Sequence, residues 1–221
     1  MIRTRIGDAL LVCGDNAAIL PGLPRTAAVV TDPPYGIAFR RGTGGKGIRQ
    51  RRRNEWPAIV GDERPFDPSA LLGFDTAVLF GANHYHDRLP LGGSWHAWDK
   101  AGNGRGPDDT FADVEFAWCN RPGKARVINY LWKGICQDGE KGERRTHPTQ
   151  KPVAVMRFLI GKLTPPGALI VDPFMGSGAT ALACHQLGRP FVGVEIDPTY
   201  HASACERLQR AHDAASIEEA A

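Results

Sequence analysis

A chain of 221 residues, 42% of them hydrophobic, can bury a sizeable core and fits one α/β domain with insertions more readily than two domains. Its 27 basic and 24 acidic side chains leave a formal charge of +3, which permits a polyanionic partner without demanding one. Five cysteines without a Cys-x-x-Cys pair read as reduced thiols, no apolar run reaches membrane-spanning length, and the opening Met1-Ile2-Arg3-Thr4-Arg5 lacks the apolar core of a secretory signal. A cytoplasmic protein without membrane contact is expected.

In chain order, Ala9-Leu10-Leu11-Val12-Cys13 reads as a short strand, and Gly14-Asp15-Asn16 as a turn or cap. A brief helix from Ala17 to Leu23 is expected next. Asp15 then stands at a strand's carboxyl end, either as an acceptor for a ligand amine or as an ordinary N-cap.

The apolar run Ala27-Ala28-Val29-Val30-Thr31 ends abruptly in Asp32-Pro33-Pro34-Tyr35. Prolines stop a buried strand and leave a stiff tip at its carboxyl end, where open α/β sheets place their chemistry. The Asp32 carboxylate and the Pro33 carbonyl are two fixed acceptors. Together they suit an amine whose lone pair is delocalised into a ring, favouring the pyramidal nitrogen needed for attack. Tyr35 supplies a flat face, worth about 1–3 kcal/mol to a stacked base. The tetrapeptide is also compatible with a plain proline-stiffened turn.

Between Gly36 and Asn54 lie Arg40, Arg41, Lys46, Arg49, Arg51, Arg52 and Arg53 among glycines, with no acid. Such a stretch reads as a mobile basic loop, and its departure from the Pro-Pro-Tyr tip favours phosphate-backbone contact. Strands follow at Thr76–Phe80, Ser94–Lys100 and Val114–Trp118. His84-x-His86 lacks a third ligand at metal-site spacing, so no metal is expected and a structural or pocket role is preferred. Residues 121–146 form a polar excursion from the sheet.

His147-Pro148-Thr149-Gln150-Lys151-Pro152 precedes an apolar helix, with Thr149 the expected N-cap. A helix N-terminus beside His147, Thr149 and Lys151 suits a carboxylate, though a well-capped structural helix reads the same way. Next comes the buried strand Ala168–Val171 with Asp172-Pro173-Phe174-Met175-Gly176-Ser177-Gly178, then a helix from Thr180 to Leu187. Neither the dinucleotide fingerprint nor the phosphate loop is complete here. Phe191-Val192-Gly193-Val194-Glu195 ends in an acid where a carboxylate would hold ribose hydroxyls. A ligand with an adenosine, a carboxylate and no phosphate fits, and S-adenosylmethionine is one.

The three motifs, in this order, resemble the β-class DNA amino-methyltransferases, from about Leu10 to Leu208. The resemblance implies methyl transfer from S-adenosylmethionine to an exocyclic base nitrogen of flipped-out, double-stranded DNA. The Asp form of the tetrapeptide resembles adenine-specific members. By the same resemblance, Asp32, Pro33, Pro34 and Tyr35 form the catalytic motif. Phe174, Gly176 and Gly178 would line the cofactor, with Asp172 near its methionine end and Glu195 on the ribose. His147, Thr149 and Lys151 would approach the methionine moiety, and Asp15 the cofactor's adenine amine. The implied fold is a permuted, doubly wound, Rossmann-like sheet of seven mostly parallel strands with one antiparallel hairpin, starting at its third strand and followed by a helix from Thr199 to Ala211 with a frayed tail. Many relatives in restriction systems carry a longer target-recognition region than residues 121–146, so the basic loop or a second subunit in a homodimer could share that task; solitary, phage and restriction settings all predict the same motifs. Cytosine-N4 methylation and a catalytically degenerate DNA-binding module remain the alternatives. Methylation of RNA or of a glutamine amide is disfavoured by motif order, and a nicotinamide-binding fold by the missing glycine.

Overall fold

The computed structural model describes residues 1–37, 59–101, 112–133, 136–137 and 149–219. Its strands are β1 (Ile2–Ile6), β2 (Ala9–Cys13), β3 (Ala28–Thr31), β4 (Thr76–Phe80), β5 (Ser94–Asp99), β6 (Val114–Cys119), β7 (Arg126–Asn129), β8 (Trp132–Lys133), β9 (Cys136–Gln137), β10 (Ile170–Asp172) and β11 (Phe191–Glu195). The helices are α1 (Ser69–Leu72), α2 (Val153–Leu163), α3 (Ala179–Gln186) and α4 (Pro198–Glu219).

One sheet runs in the order β1-β2-β11-β10-β3-β4-β6-β5-β7, and β8 and β9 pair separately. From β2 to β4 all pairings are parallel. The expected antiparallel hairpin is present, with Trp98 opposite Glu115 in the β5–β6 register. The cofactor-motif strands β10 and β11, last in the chain, fill the gap between β2 and β3, as the permuted arrangement requires.

Among the described residues this sheet has nine strands rather than the expected seven. The additions lie at its two edges, where β1 pairs antiparallel with β2 and β7 pairs parallel with β5. Both carry arginines and face solvent along most of their length, so they lack the apolar run of a buried strand. The brief helix expected over 17–23 is two 3₁₀ turns, Asn16–Ala18 and Leu20–Gly22, because Pro21 interrupts it. The tail expected to fray from Ala214 continues as helix to Glu219.

Alternation in β3 and β4 feeds two cores. Ala28, Val30, Val78 and Phe80 face α2, α3 and α4, joining Met156, Leu159, Ala181 and Leu208. Val29, Ala77 and Leu79 pack on the other face with Leu71, Phe74, Tyr85 and Trp118. Each fully buried Val, Leu, Met or Phe among them contributes about 1.5–3 kcal/mol. The opposing cores hold the sheet rigid, and with it the strand ends.

Helix α2 begins later than the Thr149 cap implies. Pro152 is its N-cap, in extended geometry and without a side-chain cap. A residue before proline is biased away from helix, so Lys151 stays extended and its side chain reaches across the strand ends.

Candidate active site

The carboxyl ends of β3, β10 and β11 open into a cavity of about 1050 Å³, whose lining includes Asp15, Asp32, Tyr35, Lys151, Phe174, Gly176 and Glu195. Thr149, Pro33, Pro34 and Asp172 also face it. Two of its regions are chemically distinct.

The first surrounds Asp32. Its Oδ1 accepts from the Tyr35 hydroxyl at 2.5 Å and its Oδ2 from the Lys151 ammonium at 2.6 Å. Lys151 also donates to the Tyr35 oxygen at 3.1 Å, and Glu115 Oε2 lies 3.1 Å from the same ammonium. Lys100 donates to Glu115 Oε1 at 2.8 Å. Charges thus alternate from Asp32 through Lys151 and Glu115 to Lys100. The Lys151 and Asp32 side chains are only 8% and 17% exposed, so water screens their pairing weakly.

These surroundings set the protonation states. Burial raises the Asp32 carboxyl, with Lys151 opposing and Glu115 adding to that shift. Burial alone would lower Lys151, but the two carboxylates outweigh it and hold the ammonium charged above the ordinary lysine value. Burial also pushes Glu115 up, yet Lys151 and Lys100 bring it down to about 2. Burial raises Tyr35 well above the phenol range, so it stays a donor.

Tyr35 is positioned from two sides. Its ring stacks on His84, with centroids 5.1 Å apart and planes 16° from parallel. Gly81, at the end of β4, has φ 64°, and a Cβ there would lie 2.0 Å from Tyr35 Cε1. Only glycine lets the ring lie there. The chain leaving Tyr35 is held by Asp62, whose carboxylate accepts from the Gly36 and Ile37 amides at 2.9 and 3.3 Å.

The second region is the turn after β10. Asp172 is buried and saturated: Oδ1 accepts from Thr31 Oγ1 and the Phe174 amide, and Oδ2 from Thr180 Oγ1. Burial raises its carboxyl to about 6. Glu195 closes the turn, accepting from the Gly176 amide at Oε2 and the Asp197 amide at Oε1, both at 2.8 Å. Arg207 of α4 donates to the Ser177 carbonyl at 2.7 Å, and Gly178 enters α3 with φ 83°. Phe174 meets Phe66 edge-on, its ring centroid 5.5 Å away. Asn16 ties the end of β2 to this turn through the Pro173 carbonyl at 3.0 Å. A flat backbone at Gly176, a carboxylate at Glu195 and an aromatic wall at Phe174 fit a ligand carrying an adenosine.

The structure therefore brings most of the expected site residues to one cavity but redistributes their partners. Lys151, expected beside a ligand carboxylate, is turned to Asp32, Tyr35 and Glu115 because the extended segment before α2 carries it there. Thr149 lines the cavity, whereas His147 and the basic side chains Arg40, Arg41, Lys46, Arg49, Arg51, Arg52 and Arg53 lie outside the described residues. Asp15 caps the first 3₁₀ turn through the Ala17 amide at 2.9 Å while also lining the cavity. Sequence reasoning missed Glu115 and Asp62; the resemblance set the Trp95–Lys100 stretch behind the target-base pocket but gave Lys100 no role of its own. A lone acid inside the apolar run Val114–Trp118 was the available signal for Glu115. No cluster of metal-ligating side chains occurs among the described residues.

The chain is 30% identical over 210 residues to YubD of Escherichia coli (strain K12), named as a methylase, covering 88% of each chain. It belongs to the N-4/N-6 DNA methylase family. The DNA methylase family profile matches residues 119–206 of this methylase. The type II methyltransferase M.ScaI of Streptomyces caespitosus is 43% identical over 93 residues, 41% of this chain and 31% of that one. Among solved structures, the M1.HpyAVI–SAM complex is 25% identical with a TM-score of 0.57, covering 90% of this methylase and 100% of that chain. The cytosine-N4-specific PvuII DNA methyltransferase, 15% identical with a TM-score of 0.58 over 93% of this chain and 91% of its own, shares the fold. No helix among the described residues is long and apolar enough to cross a membrane.

Proposed function

We propose that this chain methylates the N6 amine of a flipped-out adenine in double-stranded DNA, using S-adenosylmethionine. The observation that carries the reading is the Asp32 carboxylate at the mouth of β3, in the same cavity as the Gly176–Glu195 cradle. A nucleophile held at one and a cofactor held at the other would meet within a single enclosure. The M1.HpyAVI structure is a complex with the same cofactor, which supports this assignment.

S-adenosylmethionine supplies a methyl group on a sulfonium, electrophilic enough for attack by a neutral amine. The chain's own residues make the amine a nucleophile. Asp32 and the Pro33 carbonyl accept its two N–H bonds, and Tyr35 stacks on the base. Glu195 holds the ribose, Gly176, Gly178 and Phe174 bound the adenosine, Asp172 fixes the turn beside them, and Thr149 with His147 meets the methionine end. Asp15 receives the cofactor's adenine amine. The basic side chains from Arg40 to Arg53 are assigned to the DNA backbone, where each would add to the salt dependence of binding.

Cytosine-N4 is the second reading, favoured by the likeness in fold to a cytosine-N4-specific enzyme and by the chemistry of Asp32, which suits either amine. Transfer of labelled methyl to mixed-sequence duplex DNA, followed by digestion and identification of the modified base, separates the two. Label on N6-methyladenine is expected. Label on N4-methylcytosine would replace the first reading by the second, and unlabelled DNA despite cofactor binding would overturn both.

A further inference from the structure

The Tyr35 hydroxyl holds two hydrogen bonds of opposite sense at the heart of the site. It donates to Asp32 Oδ1 at 2.5 Å and accepts from Lys151 Nζ at 3.1 Å. The acceptor and donor it engages belong to side chains themselves in contact, with Asp32 Oδ2 and Lys151 Nζ 2.6 Å apart. Adenine and cytosine offer the same pair of complements on the Watson–Crick edge, an exocyclic N–H that donates next to a ring nitrogen that accepts. We infer that Asp32 and Lys151 act as a two-point reader of that edge, with Lys151 donating to the ring nitrogen beside the methylated amine and the Tyr35 hydroxyl keeping the place until a base arrives. The inference rests on the base-methylation reading and adds to it the residue that recognises the edge.

Three features support the assignment. The ammonium is held charged and cannot drift, since Glu115 Oε2 lies 3.1 Å away and is itself anchored by Lys100 at 2.8 Å. When the base replaces Tyr35 as acceptor, one neutral partner is exchanged for another and both carboxylate contacts of Lys151 are kept. Asp32 regains Oδ1 for the amine in the same movement. Finally, Asp32, Lys151, Glu115, Lys100 and Tyr35 all line the one cavity, so the edge can reach both side chains.

The reader has a definite selectivity. Adenine and cytosine both present donor then acceptor, so both match. Guanine and thymine present a carbonyl oxygen to Asp32 and a ring N–H to the Lys151 ammonium, setting acceptor against acceptor and donor against donor. Leaving such buried groups unpaired is a strong basis for rejection. Lys151 thus selects adenine and cytosine, whose Watson–Crick amine lies beside an unprotonated ring nitrogen, and the choice between purine and pyrimidine falls to cavity shape. Its contribution is alignment and recognition, since a cation at the ring nitrogen draws electron density away from the amine.

The test uses the wild-type protein and altered DNA. Mixed-sequence duplexes are synthesised with adenine, 1-deazaadenine or 7-deazaadenine throughout, and kcat/KM for methyl transfer is measured on each. Removing N1 weakens pairing with thymine and leaves the amine less delocalised, so both side effects favour faster transfer. We expect the opposite: a fall of roughly ten- to a hundred-fold for 1-deazaadenine, the scale of a lost charge-assisted hydrogen bond, and a change within about three-fold for 7-deazaadenine. If the methyl group is found on cytosine instead, 3-deazacytosine is the matching probe and the same fall is expected. A Lys151→Met protein that retains cofactor binding should lose the discrimination, with adenine and 1-deazaadenine transferred at equal rates. Equal wild-type transfer to the normal and ring-deleted base would overturn the inference while leaving base methylation standing. No transfer to normal DNA would overturn base methylation, and the inference with it.

Discussion

Asp32-Pro33 closes β3 and Asp172-Pro173 closes β10, two strands paired in parallel through Ala28 with Ile170 and Val29 with Val171. The same dipeptide therefore stands twice at neighbouring strand ends, facing one cavity. Asp172 meets only neutral donors: two threonine hydroxyls and one amide. Asp32 meets an ammonium and a phenol. The first arrangement engages the carboxylate to build a turn, whereas the second leaves it paired to an ammonium and a phenol that a ligand could displace. Partners, rather than position or dipeptide, distinguish the two carboxylates.

Substitutions should expose that division. Asp32→Ala is expected to lower methyl transfer by about 10²–10³-fold while cofactor affinity, measured by calorimetry, stays within a few-fold. Asp172→Ala should do the reverse, costing about 2–4 kcal/mol in urea unfolding because two hydroxyls and an amide lose their acceptor. A stable but inactive Asp172→Ala protein would break the comparison.

The pH dependence of stability sharpens it. The Asp172 carboxyl rises from an ordinary 3.8 to about 6 in the fold, so the folded chain binds a proton that the unfolded chain releases. The resulting stabilisation is complete below the unfolded value and is lost as pH rises through the folded one. Relative to Asp172→Asn, the wild type should therefore lose about 3 kcal/mol in all between a pH well below 3.8 and one well above 6, measured by urea unfolding at each pH.

Smaller effects are expected at the supporting residues. Glu195→Gln should weaken cofactor binding by roughly ten-fold, since one of its two amide contacts is lost and the remaining group is uncharged. Glu115→Gln removes an anion that raises Asp32, so the acid limb of the transfer rate should move to lower pH. Among the described residues, the charged and titratable groups left around Asp32 in that variant include Lys151, Tyr35, Tyr85, Asp172 and, further out, His84 and Lys100. An unmoved acid limb would remove Glu115 from the electrostatics of the site.

The sequence displays Asp32, Asp172 and Glu195 because each ends a contiguous apolar run, and such runs are visible without knowing the fold. Glu115 and Lys100 stay hidden for the opposite reason. Their encounter depends on the β5–β6 register, which sets Asp99 opposite Val114, and on a proline that keeps Lys151 out of α2. β1 and β7 were missed because edge strands carry charge where buried strands carry valine and isoleucine. The turn of Lys151 toward Asp32 was illegible since a helix start beside a lysine suits a ligand carboxylate equally well.

The order of strands also bears on how the molecule comes into being. β2 and β3, near the amino end, acquire their inner neighbours only from β10 and β11, which come more than 130 residues after β3 in the chain. On a ribosome, the middle of this sheet stays open until β10 and β11 have been made, leaving two apolar edges unpaired in the meantime. Closing that gap brings Asp32 and the Gly176–Glu195 turn to one cavity. The cavity and the completed sheet therefore form in one event, and neither precedes the pairing of β10 with β3.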